Sequence, residues 1–118
     1  MNQRGVRVGR SIQAALGELL VRGDIKDPRV AGAGLISVTE VRVSDDLRHA
    51  RVYVSIFAEE PKRGAALAGL RRAAGFLRRE VGRALGIRAF PELDIRLDDS
   101  IEQGARIGGL LRDIKREE

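Results

Sequence analysis

Apolar residues recur at helical spacing near the start of the chain. In residues 6–22 they fall on one face of a helix: Val8, Ile12, Leu16, Leu19 and Leu20. This spacing predicts a first helix. Gly23 is typical of a helix C-terminus, and Pro28 in IKDPR prevents the helix from continuing. The glycine-rich AGAG at 31–34 predicts a loop.

The middle of the chain has strand character. ARVYVSIFA at 50–58 alternates cleanly, with Arg51 and Tyr53 on the face opposite its valines. LISVTEVRV at 35–43 is rich in β-branched residues but alternates only in part. The turn-forming SDDLRH at 44–49 joins the two stretches, which therefore predict an antiparallel hairpin.

A second amphipathic stretch follows the hairpin. EEP at 59–61 favours a helix start, because proline suits the first helical position and carboxylates suit the positive end of the helix dipole. Apolar residues then recur in steps of three and four: Leu67, Leu70, Ala74, Leu77, Val81 and Leu85. Several arginines and Gly75 lie on roughly the opposite face. Gly86 ends this helical stretch, and LDIRL at 93–97 predicts a third strand.

The end of the sequence predicts a short C-terminal helix. In DDSIEQGARI at 98–107, Ser100 and Gln103 fit a capping box. The carboxylates around this cap are Asp98, Asp99 and Glu102. A metal or acid/base cluster is the alternative interpretation of these carboxylates, but capping accounts for all three.

Together these elements predict a single α+β domain over residues 1–118. The order is α-β-β-α-(kink)-α-β plus the short C-terminal helix, which predicts a three-stranded sheet with helices packed on one face. The other face would be exposed and would carry Arg51 and Tyr53.

Composition excludes several kinds of active site. The 118 residues include no cysteine and one histidine, His49, so a thiolate metal site and a multi-histidine metal site are ruled out. His49 has no nucleophile at a recognisable spacing, so we expect no catalytic role for it. No nucleophile elbow or phosphate-binding loop motif occurs. We therefore expect no enzymatic activity, no metal and no cofactor. No apolar run approaches a membrane span and no signal-peptide core is present, so we expect a soluble cytoplasmic protein without membrane contact.

Positive charge is concentrated in one segment. The chain has a formal net charge of +5, but residues 61–91 hold eight basic residues against one acidic residue, Glu80, which is a net charge of +7. Residues 1–23 add four arginines against Glu18. Such asymmetry predicts a nucleic-acid face.

The arginines of this segment lack the acidic neighbours that a solvated surface helix usually provides. A merely solvated helix face remains the alternative interpretation. Contacts between unpaired arginines and phosphates are favourable, however, through the direct contacts and the release of counterions. We therefore predict RNA phosphate contacts from Arg71, Arg72, Arg78, Arg79 and Arg83, with Arg4, Arg7 and Arg10 extending the surface. Gly75 would bend the helix or admit the RNA backbone closely.

A helix-break-helix between strands is similar to the core of type II KH domains, which clamp RNA with a Gly-x-x-Gly loop. Here the first glycine is absent, since residues 72–75 read RAAG. From end to end the chain resembles the ribosome-binding factor A family, through IKDPR, VTEVRVSDDLRHARVYVS, LRRAAGFLRREVGRAL and PELDIRLDDSIEQGARI. In that family an Ala-x-Gly kink replaces the loop, and Ala73, Ala74 and Gly75 match it.

The resemblance implies a bacterial, non-enzymatic assembly factor. Such a protein would bind the free 30S ribosomal subunit and its 16S rRNA and would assist late maturation and 5′-end processing. We expect a monomer when the protein is free. A general KH-type nucleic-acid-binding protein is the alternative, followed by a protein-interaction module whose charge serves only solubility.

Overall fold

The computed structural model describes residues 3–88 and 90–98 of the chain. Its elements, in chain order, are α1 (Gln3–Arg22), α2 (Pro28–Ala31), β1 (Ile36–Val43), β2 (His49–Ile56), α3 (Lys62–Arg72), α4 (Ala74–Leu85) and β3 (Glu92–Leu97). The predicted α+β fold with a three-stranded sheet is confirmed. The predicted C-terminal helix and its cap at Ser100 lie outside the described residues.

The sheet has the order β1-β2-β3. β1 and β2 pair antiparallel, as the hairpin pattern predicted, and β3 pairs parallel to β2 on its other side. A parallel pair needs a crossover connection of a dozen or more residues, and α3 and α4 form this connection between β2 and β3.

The predictions between α1 and β1 are correct only in part. Helix α1 ends before Pro28 and residues 32–34 form a loop, as expected, but Pro28 begins a short helix, α2, that was not predicted and that includes Ala31. Proline favours the first position of a helix, and Asp27 caps this one by accepting a hydrogen bond from the Arg29 backbone N–H. Helix α1 also begins at Gln3, earlier than the predicted residue 6.

The core lies between the helices and one face of the sheet. Ile12 and Leu16 of α1, Leu70 of α3 and Val81 of α4 are all at most 2% exposed. They pack with the alternate residues of the central strand, Ala50, Val52, Val54 and Ile56. The clean alternation of β2 in the sequence therefore corresponds to one face buried under the helices.

Helix α1 lies very close to β1 because of one glycine. A methyl group added at Gly9 would stand 2.7 Å from the Val41 carbonyl oxygen, which is closer than real Cβ contacts. Nearby, the Gln13 side-chain amide donates to the carbonyl oxygens of Val38 and Thr39 at 3.1 and 3.3 Å. These contacts fix α1 along the sheet and leave α3 and α4 to form the other side of the helical layer.

Candidate nucleic-acid interface

The break between α3 and α4 lies at Ala73. The Ala73 N–H donates to the carbonyl oxygens of both Gly69 and Leu70, and α4 starts at the next residue. Its φ of −84° and ψ of 1° are open to any residue, so the break does not require glycine. Of the predicted kink residues, Ala73 is the break itself, and Ala74 and Gly75 form the first turn of α4.

A groove of about 460 Å³ runs alongside α4. We call it the α4 groove. Its lining residues are Gly75, Arg78, Arg79, Gly82, Arg83, Ile87, Arg88 and Phe90. Its rim therefore holds four of the arginines from the basic segment and its described lining includes no carboxylate.

The floor of the α4 groove is built where α4 meets the chain before β3. Gly82 is buried, and a methyl group there would lie 3.4 Å from both the Ile87 carbonyl oxygen and the Phe90 Cβ. Arg78 donates from Nε and Nη2 to the Phe90 carbonyl oxygen at 3.1 and 2.8 Å. These hydrogen bonds connect α4 to the chain before β3. Because the carbonyl acceptor is neutral, Arg78 still contributes a full positive charge to the groove.

Arg79 and Arg83 are the more available cations of the α4 groove. Both are exposed. Arg83 Nη1 lies 3.6 Å from a Glu80 carboxylate oxygen, and in the described part of the chain no carboxylate lies within ion-pair distance of Arg79. Even with Glu80 counted against the four arginines, the groove has a net charge of +3.

Gly75 opens one end of this groove. It is exposed, and a methyl group added to it would meet only Arg79 Nη1, at 3.8 Å. The fold therefore does not need a glycine here. Its effect is to leave the backbone of the first turn of α4 uncovered beside Arg79, where an elongated ligand could approach closely.

Two of the predicted RNA-binding arginines lie outside the α4 groove. Arg71 donates from Nε to the Ile95 carbonyl oxygen of β3 at 2.9 Å, which ties α3 to that strand. Arg72 lines a second groove on the side of the loop that precedes α2. The fold thus distributes the arginines of the basic segment, residues 61–91, over separate parts of the molecule.

The predicted extensions of the surface lie elsewhere. Arg4, Arg7 and Arg10 are exposed on the N-terminal half of α1 and do not line the α4 groove. Arg51 and Tyr53 lie on the face of β2 turned away from the core, where Arg51 is exposed and Tyr53 is half-buried.

Arg88 and Phe90 are groove residues that sequence reasoning did not choose. Arg88 belonged to the basic segment, but it follows the helix, so a helical wheel could not place it. Phe90 contributes through its backbone carbonyl, which no sequence pattern reveals. Only the return of the chain from α4 toward β3 brings the two next to Arg78 and Gly82.

Among the described residues, the lining of the α4 groove offers guanidinium donors and contains no carboxylate and no histidine. Such a surface binds phosphates by charge and hydrogen bonding. In residues 3–88 and 90–98, no three His, Cys, Asp or Glu side chains come close enough together to hold a metal ion. Across the same ranges, no helix combines the length and apolar character that a membrane crossing needs.

Comparison with known protein families finds a match over most of the chain. The sequence profile described as ribosome-binding factor A matches residues 4–111. A ribosome-binding factor A from Halothermothrix orenii is 42% identical over 116 residues, covering 98% of this chain and 92% of the relative.

Solved structures agree with the sequence comparison. The crystal structure of ribosome-binding factor A from Thermus thermophilus superposes with a TM-score of 0.66 at 30% identity, covering 79% of this chain and 93% of that one. A homology model of the Thermus thermophilus ribosome-binding factor A, fitted into a cryo-EM map of a complex with the 30S subunit, gives a TM-score of 0.63 at 31% identity, with coverages of 77% and 91%.

Proposed function

Because the chain belongs to the ribosome-binding factor A family, we propose that it binds the free 30S ribosomal subunit in the cytoplasm as a monomeric, non-enzymatic assembly factor. It contacts 16S rRNA there and assists late maturation and processing of the 5′ end. The similarity to a protein fitted into a 30S complex supports the choice of subunit. The observation that carries the RNA contact is the α4 groove, with its four arginines and no lining carboxylate.

The α4 groove binds the sugar-phosphate backbone of the rRNA. Arg79 and Arg83 contact phosphates directly, because they are exposed and Arg79 has no carboxylate competing for it among the described residues. Arg78 shapes the groove through Phe90 and adds long-range attraction. Gly75 lets the backbone of one nucleotide approach the first turn of α4.

The mechanism is binding without chemistry. A protein that binds one conformation of immature rRNA more tightly than its alternatives raises the population of that conformation by the difference in affinity. The 5′ end then becomes accessible to nucleases that are separate proteins.

Subunit specificity is tested by co-sedimentation of the purified protein with 30S subunits, 50S subunits and 70S ribosomes at moderate salt. We expect co-sedimentation with free 30S subunits and little with 70S ribosomes. Equal retention by all particles and by unrelated RNA would instead identify a general KH-type nucleic-acid-binding protein.

The processing role is tested in a bacterial strain that lacks its own family member. Expression of this chain should reduce the precursor 16S rRNA with an unprocessed 5′ end, as measured by primer extension. Arg79→Glu should be expressed to the same level but should leave the precursor in place. Full processing with Arg79→Glu would contradict the role given to the α4 groove.

A further inference from the structure

A second groove lies on the other side of the helix break, against the IKDPR loop. Its volume is about 300 Å³, and we call it the loop groove. Its lining residues are Asp24, Ile25, Lys26, Asp27, Gly69, Arg72, Ala73 and Phe76. It shares no lining residue with the α4 groove, although Phe76 and Gly75 are neighbours in the first turn of α4.

The floor of the loop groove is apolar and firmly held. Ile25 is 5% exposed, and Phe76 is half-buried. A methyl group at Gly69 would lie 2.8 Å from Val30 Cγ2 and 3.3 Å from Asp27 Cγ, so α2 and α3 are in contact below the groove. Ala73, at the break, adds only a small side chain and leaves one aromatic residue, Phe76, to define the groove.

The two carboxylates of the loop groove are already paired. Arg29 donates to both oxygens of Asp27, at 3.0 and 2.7 Å, and Arg22 donates to Asp24 Oδ2 at 3.2 and 2.9 Å. Each carboxylate of the groove is therefore charge-paired with an arginine that does not line the groove.

The cations of the loop groove are not satisfied in this way. Lys26 and Arg72 are exposed, and in residues 3–88 and 90–98 neither lies within ion-pair distance of a carboxylate. The lining alone is neutral, with two carboxylates against Lys26 and Arg72; with the pairing arginines Arg22 and Arg29 counted, the net charge around the groove is +2.

An apolar floor with an aromatic residue and a basic rim fits a ligand that is flat and apolar in one part and anionic in another. An unstacked nucleotide has this chemistry, because its base can stack on an aromatic ring while its phosphate meets guanidinium and ammonium groups. Bases inside a duplex are already stacked and paired and cannot enter such a groove.

We propose that the loop groove binds one unpaired nucleotide of the RNA, with the base against Phe76 and its phosphate between Lys26 and Arg72. This inference rests on the proposed function, since it takes RNA to be the ligand of the neighbouring α4 groove. In this arrangement the α4 groove binds the backbone of single-stranded and duplex RNA alike, whereas the loop groove selects single-stranded RNA.

The absence of tryptophan from the chain allows a direct test. Phe76→Trp places a single tryptophan in the loop groove, and stacking of a base should quench its fluorescence. We expect quenching by a short single-stranded RNA and none by a duplex of the same length. Quenching by neither RNA, while both still bind, would overturn the proposal.

Affinities give a second measurement. Phe76→Leu, and separately Lys26→Gln with Arg72→Gln, should weaken single-stranded RNA binding by about five- to a hundredfold and leave duplex binding within about twofold. Arg79→Gln, in the α4 groove, should weaken both RNAs alike. Equal losses on both RNAs for the loop-groove variants would overturn the proposal, and thermal unfolding checks that Phe76→Leu remains folded.

The controls separate this proposal from the proposed function. If the wild-type chain binds 30S subunits but the loop-groove variants bind single-stranded RNA as well as wild type does, the loop groove is wrong and the proposed function stands. If those variants lose 30S affinity without losing RNA affinity, the occupant is an acidic segment of a ribosomal protein and the nucleotide proposal is overturned. Failure of the wild-type chain to bind any RNA would sink both.

Discussion

Gly9 and Gly75 differ in whether the packing of the fold requires a glycine. A methyl group at Gly9 would overlap the Val41 carbonyl oxygen, whereas a methyl group at Gly75 would meet only the end of the Arg79 side chain. Gly9 is therefore needed for packing of α1 on β1, and Gly75 is not needed for packing at all. An exposed glycine that packing does not require leaves room for the RNA backbone in the proposed interface.

Gly75→Ala should raise the free energy of unfolding by up to about 1 kcal/mol, because alanine favours a helix over glycine. Gly9→Ala, the matched control, should lower it by about 1–3 kcal/mol through steric overlap. Urea unfolding of the two variants measures both changes. We also expect Gly75→Ala to weaken 30S binding despite its greater stability. A stable variant with undiminished 30S affinity would show that RNA does not approach Gly75.

Asp27 provides a test of the IKDPR loop. Hydrogen bonds from the Arg29 side chain, with a further one from the Arg29 backbone, lower the pKa of its carboxyl from 3.8 to about 2. A lowered pKa means that the ionised form supports the folded state above pH 3.8, and that this support is lost as the pH falls toward 2.

In the folded protein the titration of Asp27 should be centred near a pKa of about 2 instead of 3.8, as followed by carbon-detected NMR of its carboxyl group. Arg29→Gln should return its pKa toward 3.8, because it removes the main cause of the shift. An Asp27 pKa that stays unchanged in Arg29→Gln would show that the ion pair does not form in solution.

At the scale of elements, an irregularity in the pairing of β1 explains why the sequence of this strand alternates only in part. The register between β1 and β2 shifts between Val38 and Glu40, so an extra residue is inserted into β1 at Thr39. A bulge changes the phase of the inward-facing residues, which are Ile36 and Val38 before it and Val41 and Val43 after it. A pattern with a period of two predicts the strand but cannot locate the bulge.

The existence of the helix break could be predicted from the sequence, but the residue at which it lies could be predicted less well. The family resemblance predicted a kink over Ala73, Ala74 and Gly75, and glycine is the residue of the three that weakens a helix most. The break lies at Ala73, whose ψ near 0° does not require glycine. What holds α3 beside the sheet at that point is Arg71, whose acceptor on β3 is distant in sequence.

Arg71→Ala should lower the free energy of unfolding by about 1 kcal/mol, because it removes the hydrogen bond to the Ile95 carbonyl oxygen. Arg72→Ala, its neighbour without such a bond among the described residues, should change stability by less than about 0.5 kcal/mol. Chemical denaturation of both variants distinguishes them. Equal effects would contradict the anchoring of α3 to β3.

At the scale of the whole molecule, the sequence predicted how much charge there is but not how it is arranged. The +7 segment is one stretch of chain, yet the fold assigns Arg71 to β3, Arg72 to the loop groove and Arg79 to the α4 groove. Helical periodicity relates residues within one helix only. The grooves depend on the break at Ala73 and on loops whose contacts come from distant parts of the chain.

This arrangement predicts which arginines set the salt dependence of RNA binding. Arg79→Gln and Arg83→Gln should each reduce the slope of log affinity against log salt concentration by about one, since each removes a phosphate contact. Phe76→Leu should lower affinity without changing the slope, because it removes no charge. Salt titrations of a fluorescent RNA provide the slopes, and an unchanged slope for Arg79→Gln would contradict its phosphate contact.

The central claim, that the α4 groove is the surface that binds the 30S subunit, is tested most directly by the affinity of Arg79→Glu for purified 30S subunits. Lys62→Glu is the control, because it makes the same change in net charge at an exposed residue. Lys62 is the first residue of α3, at the end of that helix away from the break at Ala73. We expect Arg79→Glu to weaken binding at least about tenfold, through loss of a phosphate contact and added repulsion, and Lys62→Glu to weaken it only slightly. Equal affinities of the two variants would contradict the account.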